Sequence, residues 1–211
     1  MSSRSERPTR DTIRKAPAID RIAPEVSTRY QRASELLDAV LTGAKGINLW
    51  SSFRVPPPQR RSRIYRALVD SGLASAVSGG MLPTQHPFVY ILSATATSGT
   101  PLAAVESRLL QELEVVRQAG VTAAEVAAAK RQLKARLVFD ADSVTNIAHQ
   151  LGYFETIGCR DVYTAAPQRI DAVTAEQVTA LAARMLPESN RTVGWFDPLP
   201  VQAEETHVVV E

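Results

Sequence analysis

Residues 63–80 read RIYRALVDSGLASAVSGG, and residues 86–97 read HPFVYILSATAT. In the first stretch Ile64, Ala67 and Leu68 keep helical spacing up to a stop at Ser71-Gly72. Leu73 to Val77 then reads as a strand, running on through Ser78, Gly79 and Gly80. The second stretch is rich in β-branched and aromatic residues, lies between Pro87 and Gly99, and alternates over its second half. The spacing predicts two adjacent strands, 73–80 and 86–97, paired antiparallel. It also sets the smallest side chains of the region along one of them.

The segments around this pair are mostly helical. STRYQRASELLDAVLTGA (27–44) places Leu36, Leu37, Val40 and Leu41 on one face, with Gly43 as the stop. Three consecutive prolines, Pro56 to Pro58, make 46–61 a loop. Residues 100–120 carry an apolar face from Leu102 to Val116, opened by Pro101 and ended by Gly120. Thr122-x-x-Glu125 and Thr174-x-x-Gln177 are capping boxes, opening helices over 121–140 and from 174 to Pro187. A further helix spans 142–157 after a break at Asp140-Ala141-Asp142. Residues 190–198, NRTVGWFDP, read as a last strand, and Ala18 to Ile22 as a first one. Adjacent strands followed by a run of helices give an α+β fold, an antiparallel sheet covered on one face by long helices.

At 211 residues the chain suits one sizeable domain. Residues 1–17 are expected to be a disordered polar leader, 18–198 the domain and 199–211 a tail. The net charge of +2 is too small to favour nucleic acid or an anionic membrane as partner. No apolar run reaches the ~20 residues needed to cross a bilayer, and the leader has no apolar signal core. The expected location is cytoplasmic by default, with export alongside a partner left open.

Reactive groups do not assemble into a self-sufficient active site. His86, His149 and His207 have no second ligand at the spacing of a zinc-binding helix, and HxxEH is absent. Cys159 is the only cysteine and reads as a structural thiol. No serine nucleophile elbow and no phosphate-binding glycine loop occurs. Catalytic residues and metal ligands are therefore expected to be none. The uneven feature is a basic cluster, Arg54, Arg60, Arg61, Arg63 and Arg66, either a solvated surface or a set of guanidinium forks for carboxylates.

Four segments, 37–79, 86–113, 120–158 and 174–198, resemble in unbroken order the carboxy-terminal domain of insulinase/pitrilysin-type zinc metallopeptidases. Most distinctive are Ser62-Arg63-Ile64-Tyr65 followed by Gly72-Leu73-Ala74, the GVTAAE turn and the closing NRTVGWFDP. The resemblance implies a non-catalytic half-shell that closes over an extended peptide against an HxxEH-bearing partner chain or domain. Zinc would be held by that partner, and this chain would bind no cofactor. Such domains often grip substrate with an arginine and, seven residues on, a tyrosine. Leu68 and Ser75 stand at those places here, and Arg63 and Arg66 are the nearest arginines. The candidate substrate-binding set is thus Arg63, Arg66, Ser75, Ala76, Ser78 and Gly79, the small residues letting a peptide backbone approach a sheet edge. The other role open to such a chain is that of a structural scaffold or inactive remnant.

Overall fold

The computed structural model describes residues 24–44, 61–81, 89–156 and 164–196. Helix α1, Pro24–Leu41, opens at a proline, whose missing N–H costs nothing in a first turn. It starts before the predicted Ser27. Tyr65–Val69 follows as a single π-helical turn, in which the Asp70 N–H donates to the Tyr65 carbonyl at 3.2 Å. Its wider winding replaces the ordinary helix read from the spacing of Ile64, Ala67 and Leu68.

Strands β1, Ala74–Met81, and β2, Tyr90–Ala96, pair antiparallel as predicted. Their register contains one irregularity: Ala74 faces Ala96 and Ala76 faces Thr95, which leaves Ser75 as a bulge. The extra residue changes the parity of the strand. Ala74 is buried, and beyond the bulge Val77, Gly79 and Met81 face the core beside Ala94, Leu92 and Tyr90. Ala76, Ser78 and Gly80 lie on the other face with Thr95, Ser93 and Ile91.

Four more helices follow: α2 (Leu102–Ala119), α3 (Ala123–Asp140), α4 (Val144–Thr156) and α5 (Ala166–Ala172). The last, α6, spans Ala175–Met185. Both capping boxes form, with Thr122 and Thr174 each accepting from the backbone three residues on. Helix α5 falls in a stretch that the sequence pattern left unassigned. Helix α1 is central: it packs against β1 on one side and against α3, α5 and α6 on the others. Leu36, Leu37 and Leu41 are fully enclosed there, with Ile64, Val116, Ile170 and Val178 around them. The fold is α+β, and the inner face of its antiparallel sheet is covered by helices. No described helix is long and apolar enough to cross a membrane.

The predicted strand 190–198 differs. Glu188–Asn190 is a 3-10 turn, and Arg191–Phe196 runs on without joining the sheet. The Trp195 indole instead donates to Glu106 on α2 at 2.8 Å. The predicted strand 18–22, the leader 1–17 and the tail 199–211 lie outside the described residues, as does most of the loop 46–61. At the α3–α4 corner Val138, Phe139 and Val144 are strongly exposed.

Two glycines are fixed by space. A Cβ on Gly79 would lie 2.6 Å from Leu92 Cδ2 and 2.8 Å from Thr42 Cγ2, in the seam between sheet and α1. Gly120, at φ +73°, ends α2 in a conformation that favours glycine, and a Cβ there would meet Thr179 at 2.5 Å. Thr179 is β-branched and cannot swing away freely. Its hydroxyl also accepts from the Val121 N–H at 3.1 Å. Gly120→Ala and Gly79→Val are each expected to cost about 1–3 kcal/mol. Urea unfolding followed by circular dichroism measures both.

Candidate functional site

The six candidate residues separate into three environments. Arg63 is engaged within the fold: its Nε and Nη2 donate to the two oxygens of Glu125 at 2.7 and 2.8 Å. That bidentate pair links the approach to β1 with the first turn of α3, across 62 residues of sequence. Glu125 Oε2 also accepts from the backbone N–H and the hydroxyl of Thr122, both at 2.9 Å. Hydrogen bonds from Arg63, more than the opposing cost of burial, hold the Glu125 carboxyl down to about 2. The same bond raises the Arg63 guanidinium.

Gly79 belongs to the packing seam. Its backbone sits against α1, so the room it leaves is taken by Leu92, Thr42 and Asp38. Asp38 Oδ1 accepts from the Thr42 hydroxyl at 2.6 Å and the Tyr90 hydroxyl at 2.8 Å, tying β2 to the last turn of α1. Burial first, and then the Asp38 charge, push the Tyr90 phenol well up. Gly79 therefore makes room for a helix and not for a ligand.

Ser75, Ala76 and Ser78 are exposed. Ala76 and Ser78 lie on the open face of the hairpin, while Ser75 is the bulged residue and donates to the Thr95 carbonyl at 3.2 Å. Gly80 shares the open face with nothing within 4 Å of a Cβ placed on it. Except for Ile91, this face carries only small side chains, so main-chain atoms are approachable from outside. Position 80 was missed in the sequence because the bulge is invisible there.

Arg66 goes elsewhere. It borders a cavity of about 300 Å³ between α1 and α3, together with Arg61, Ser62 and Arg131. None of the candidate strand residues lines it. Of the basic cluster, Arg54 and Arg60 lie outside the described residues. Among the described residues no three His, Cys, Asp or Glu side chains converge as metal ligands. His86, His207 and Cys159 are outside that set, and His149 is exposed on α4.

The model of the family of peptidase M16 inactive domains matches residues 14–133. No curated protein matches the chain. Among solved structures, an inactive peptidase domain from Bordetella parapertussis superposes with a TM-score of 0.65 at 18% identity. That match covers 81% of this chain and 85% of the other. A protease from Helicobacter pylori gives a TM-score of 0.62 at 18% identity over 74% of this chain. A chain of Complex III2 from Candida albicans gives 0.56 at 16% identity over 75%. The present chain spans 34% of the Helicobacter chain and 36% of the Candida one. At these identities the likeness is one of fold.

The Arg63–Glu125 pair has a pH signature. The Glu125 carboxyl is lower folded than unfolded, so its contribution is present above the unfolded value and lost as pH falls toward about 2. Glu125→Gln is expected to cost about 1–3 kcal/mol at neutral pH. The gap between wild type and variant should close as pH drops from about 5 to about 2. Urea titrations across that range measure it.

Proposed function

Because this chain belongs to the family of peptidase M16 inactive domains, we propose that it is the non-catalytic, substrate-enclosing half of a zinc peptidase. It pairs with an HxxEH-bearing chain or domain, which holds the zinc and carries out hydrolysis of an extended peptide. The sequence supports the division of labour, since it contains no HxxEH motif. The observation that carries the reading is the open face of the β1–β2 hairpin. Helices cover one side of the sheet, while Ala76, Ser78 and Gly80 leave the other low and accessible. A low surface of that shape suits the wall of a chamber that encloses an extended peptide.

Ser75, Ala76 and Ser78 are the residues proposed to meet substrate. Arg63 and Gly79 leave that set because Glu125 and α1 already occupy them. The exposed Val138, Phe139 and Val144 add apolar surface of a kind that association covers. The likeness to a chain of Complex III2 favours a second reading, a scaffold that pairs without cleaving.

The test is reconstitution of this chain with an HxxEH chain of the same source, followed by hydrolysis of a fluorogenic peptide mixture. Activity is expected only in the mixture, and a zinc chelator should abolish it. Ser78→Trp should lower kcat/KM by about tenfold or more, equivalent to ~1.4 kcal/mol. Its thermal unfolding should stay unchanged, since the side chain projects outward. Ser75→Tyr should be tolerated at the exposed bulge. Co-elution without hydrolysis would select the scaffold reading, and full activity in Ser78→Trp would remove the hairpin face from the substrate path.

A further inference from the structure

The cavity between α1 and α3 lies apart from the hairpin face and has a chemistry of its own. Arg61, Arg66 and Arg131 border it, and none of them makes an ion pair or a side-chain hydrogen bond among the described residues. Arg61 and Arg66 come from the segment before β1, and Arg131 from the third turn of α3. Tertiary folding therefore gathers charges that the sequence holds 65 residues apart, from Arg66 to Arg131. One carboxylate, Glu125, is also on the wall, but Arg63 holds both its oxygens. Three guanidinium groups without acidic partners thus remain around a space of about 300 Å³.

One further detail fits a negative ligand. Ser62 lines the cavity at 5% exposure, and its hydroxyl oxygen has no hydrogen-bond partner among the described residues. A buried hydroxyl left so is disfavoured, and a bound acceptor would relieve it. The end of α1 also borders the cavity; a helix C-terminus attracts cations and opposes an anion, so the guanidinium groups have to outweigh it. Not all of its carbonyls are open to these arginines, however. Those of Asp38 and Ala39 already accept from the N–H groups of Thr42 and Gly43. Complementing the helix end does not account for three guanidinium groups, because the dipole amounts to only about half a charge.

We propose that this cavity binds a small oxyanion bearing two or more negative charges. Guanidinium forks match phosphate and carboxylate oxygens alike, so the shared chemistry is a compact phosphoryl or polycarboxylate ligand. The volume suits a molecule of that kind, at the small end of ligand pockets. Such a ligand would bridge the segment leading into β1 and helix α3, and would reinforce the joint made by Arg63 and Glu125.

Isothermal titration of the full chain with pyrophosphate, and separately with citrate, tests the site at a fixed ionic strength of about 0.15 M. Saturable binding of at least one anion is expected, with stoichiometry of one. Arg66→Gln and Arg131→Gln should each weaken it by about tenfold. Lys134→Gln removes a positive charge from the same helix outside the cavity and should change nothing. Binding of pyrophosphate only assigns a phosphoryl ligand, and of citrate only a carboxylate; both support the site. Arg66 and Arg131 are exposed, whereas Lys134 is half-buried and paired with Asp171, so far-ultraviolet spectra of all three variants check their folding. If neither anion binds, the proposal is overturned. So does binding that Arg66→Gln and Arg131→Gln leave intact, or that Lys134→Gln weakens equally.

Discussion

One carboxylate governs how the two halves of this fold meet. Glu125 closes the capping box at the start of α3 and at the same time grips both donors of Arg63. The first duty is local and would be met in an isolated helix. The second spans 62 residues and fixes where the chain enters β1 relative to the α2–α3 turn. Around the same turn, Gly120 gives way to Thr179, whose hydroxyl accepts from Val121 and joins α6 to the arrangement. The sheet, the helical layer and the turn between them are therefore registered by a few polar contacts beside an apolar core. A partly buried, bidentate pair suits such a task, since it is directional where hydrophobic packing is not.

The consequences reach the hairpin. With its entry fixed, β1 lies on α1, and the Asp38–Tyr90 hydrogen bond and the Gly79 contact set its distance. The helix side of the sheet is closed by these contacts, so everything the hairpin offers outward comes from the other face. The opposite flank of α1 borders the arginine-lined cavity. One helix thus separates two surfaces of different character: small and nearly neutral on the strand side, cationic on the other.

Much of this was legible in the sequence, and the failures have physical causes. The strand pair, the helices with strong apolar faces and both capping boxes depend on short-range patterns, so they could be read directly. The faces of β1 could not. Counting by twos from buried Ala74 puts Ala76, Ser78 and Gly80 inside, and only the bulge at Ser75 reverses that. Residues 190–198 have strand-like composition, but strand propensity reflects available neighbours, and Trp195 finds Glu106 instead of a ladder. Arg63 read as a candidate for substrate because its partner lies far along the chain. The cavity was hidden for the same reason, its charges being split between a basic run and a helix far along the chain.

The corner formed by Val138, Phe139 and Val144 bears on how the protein behaves as a solute. Phe139 is 71% exposed and Val144 84%. With a net charge of only +2, long-range repulsion between copies is weak. Apolar contact at this corner then has little to oppose it, and sulfate, which strengthens burial of apolar surface, would promote it further. The expected consequence for the isolated chain near neutral pH is self-association that grows with concentration.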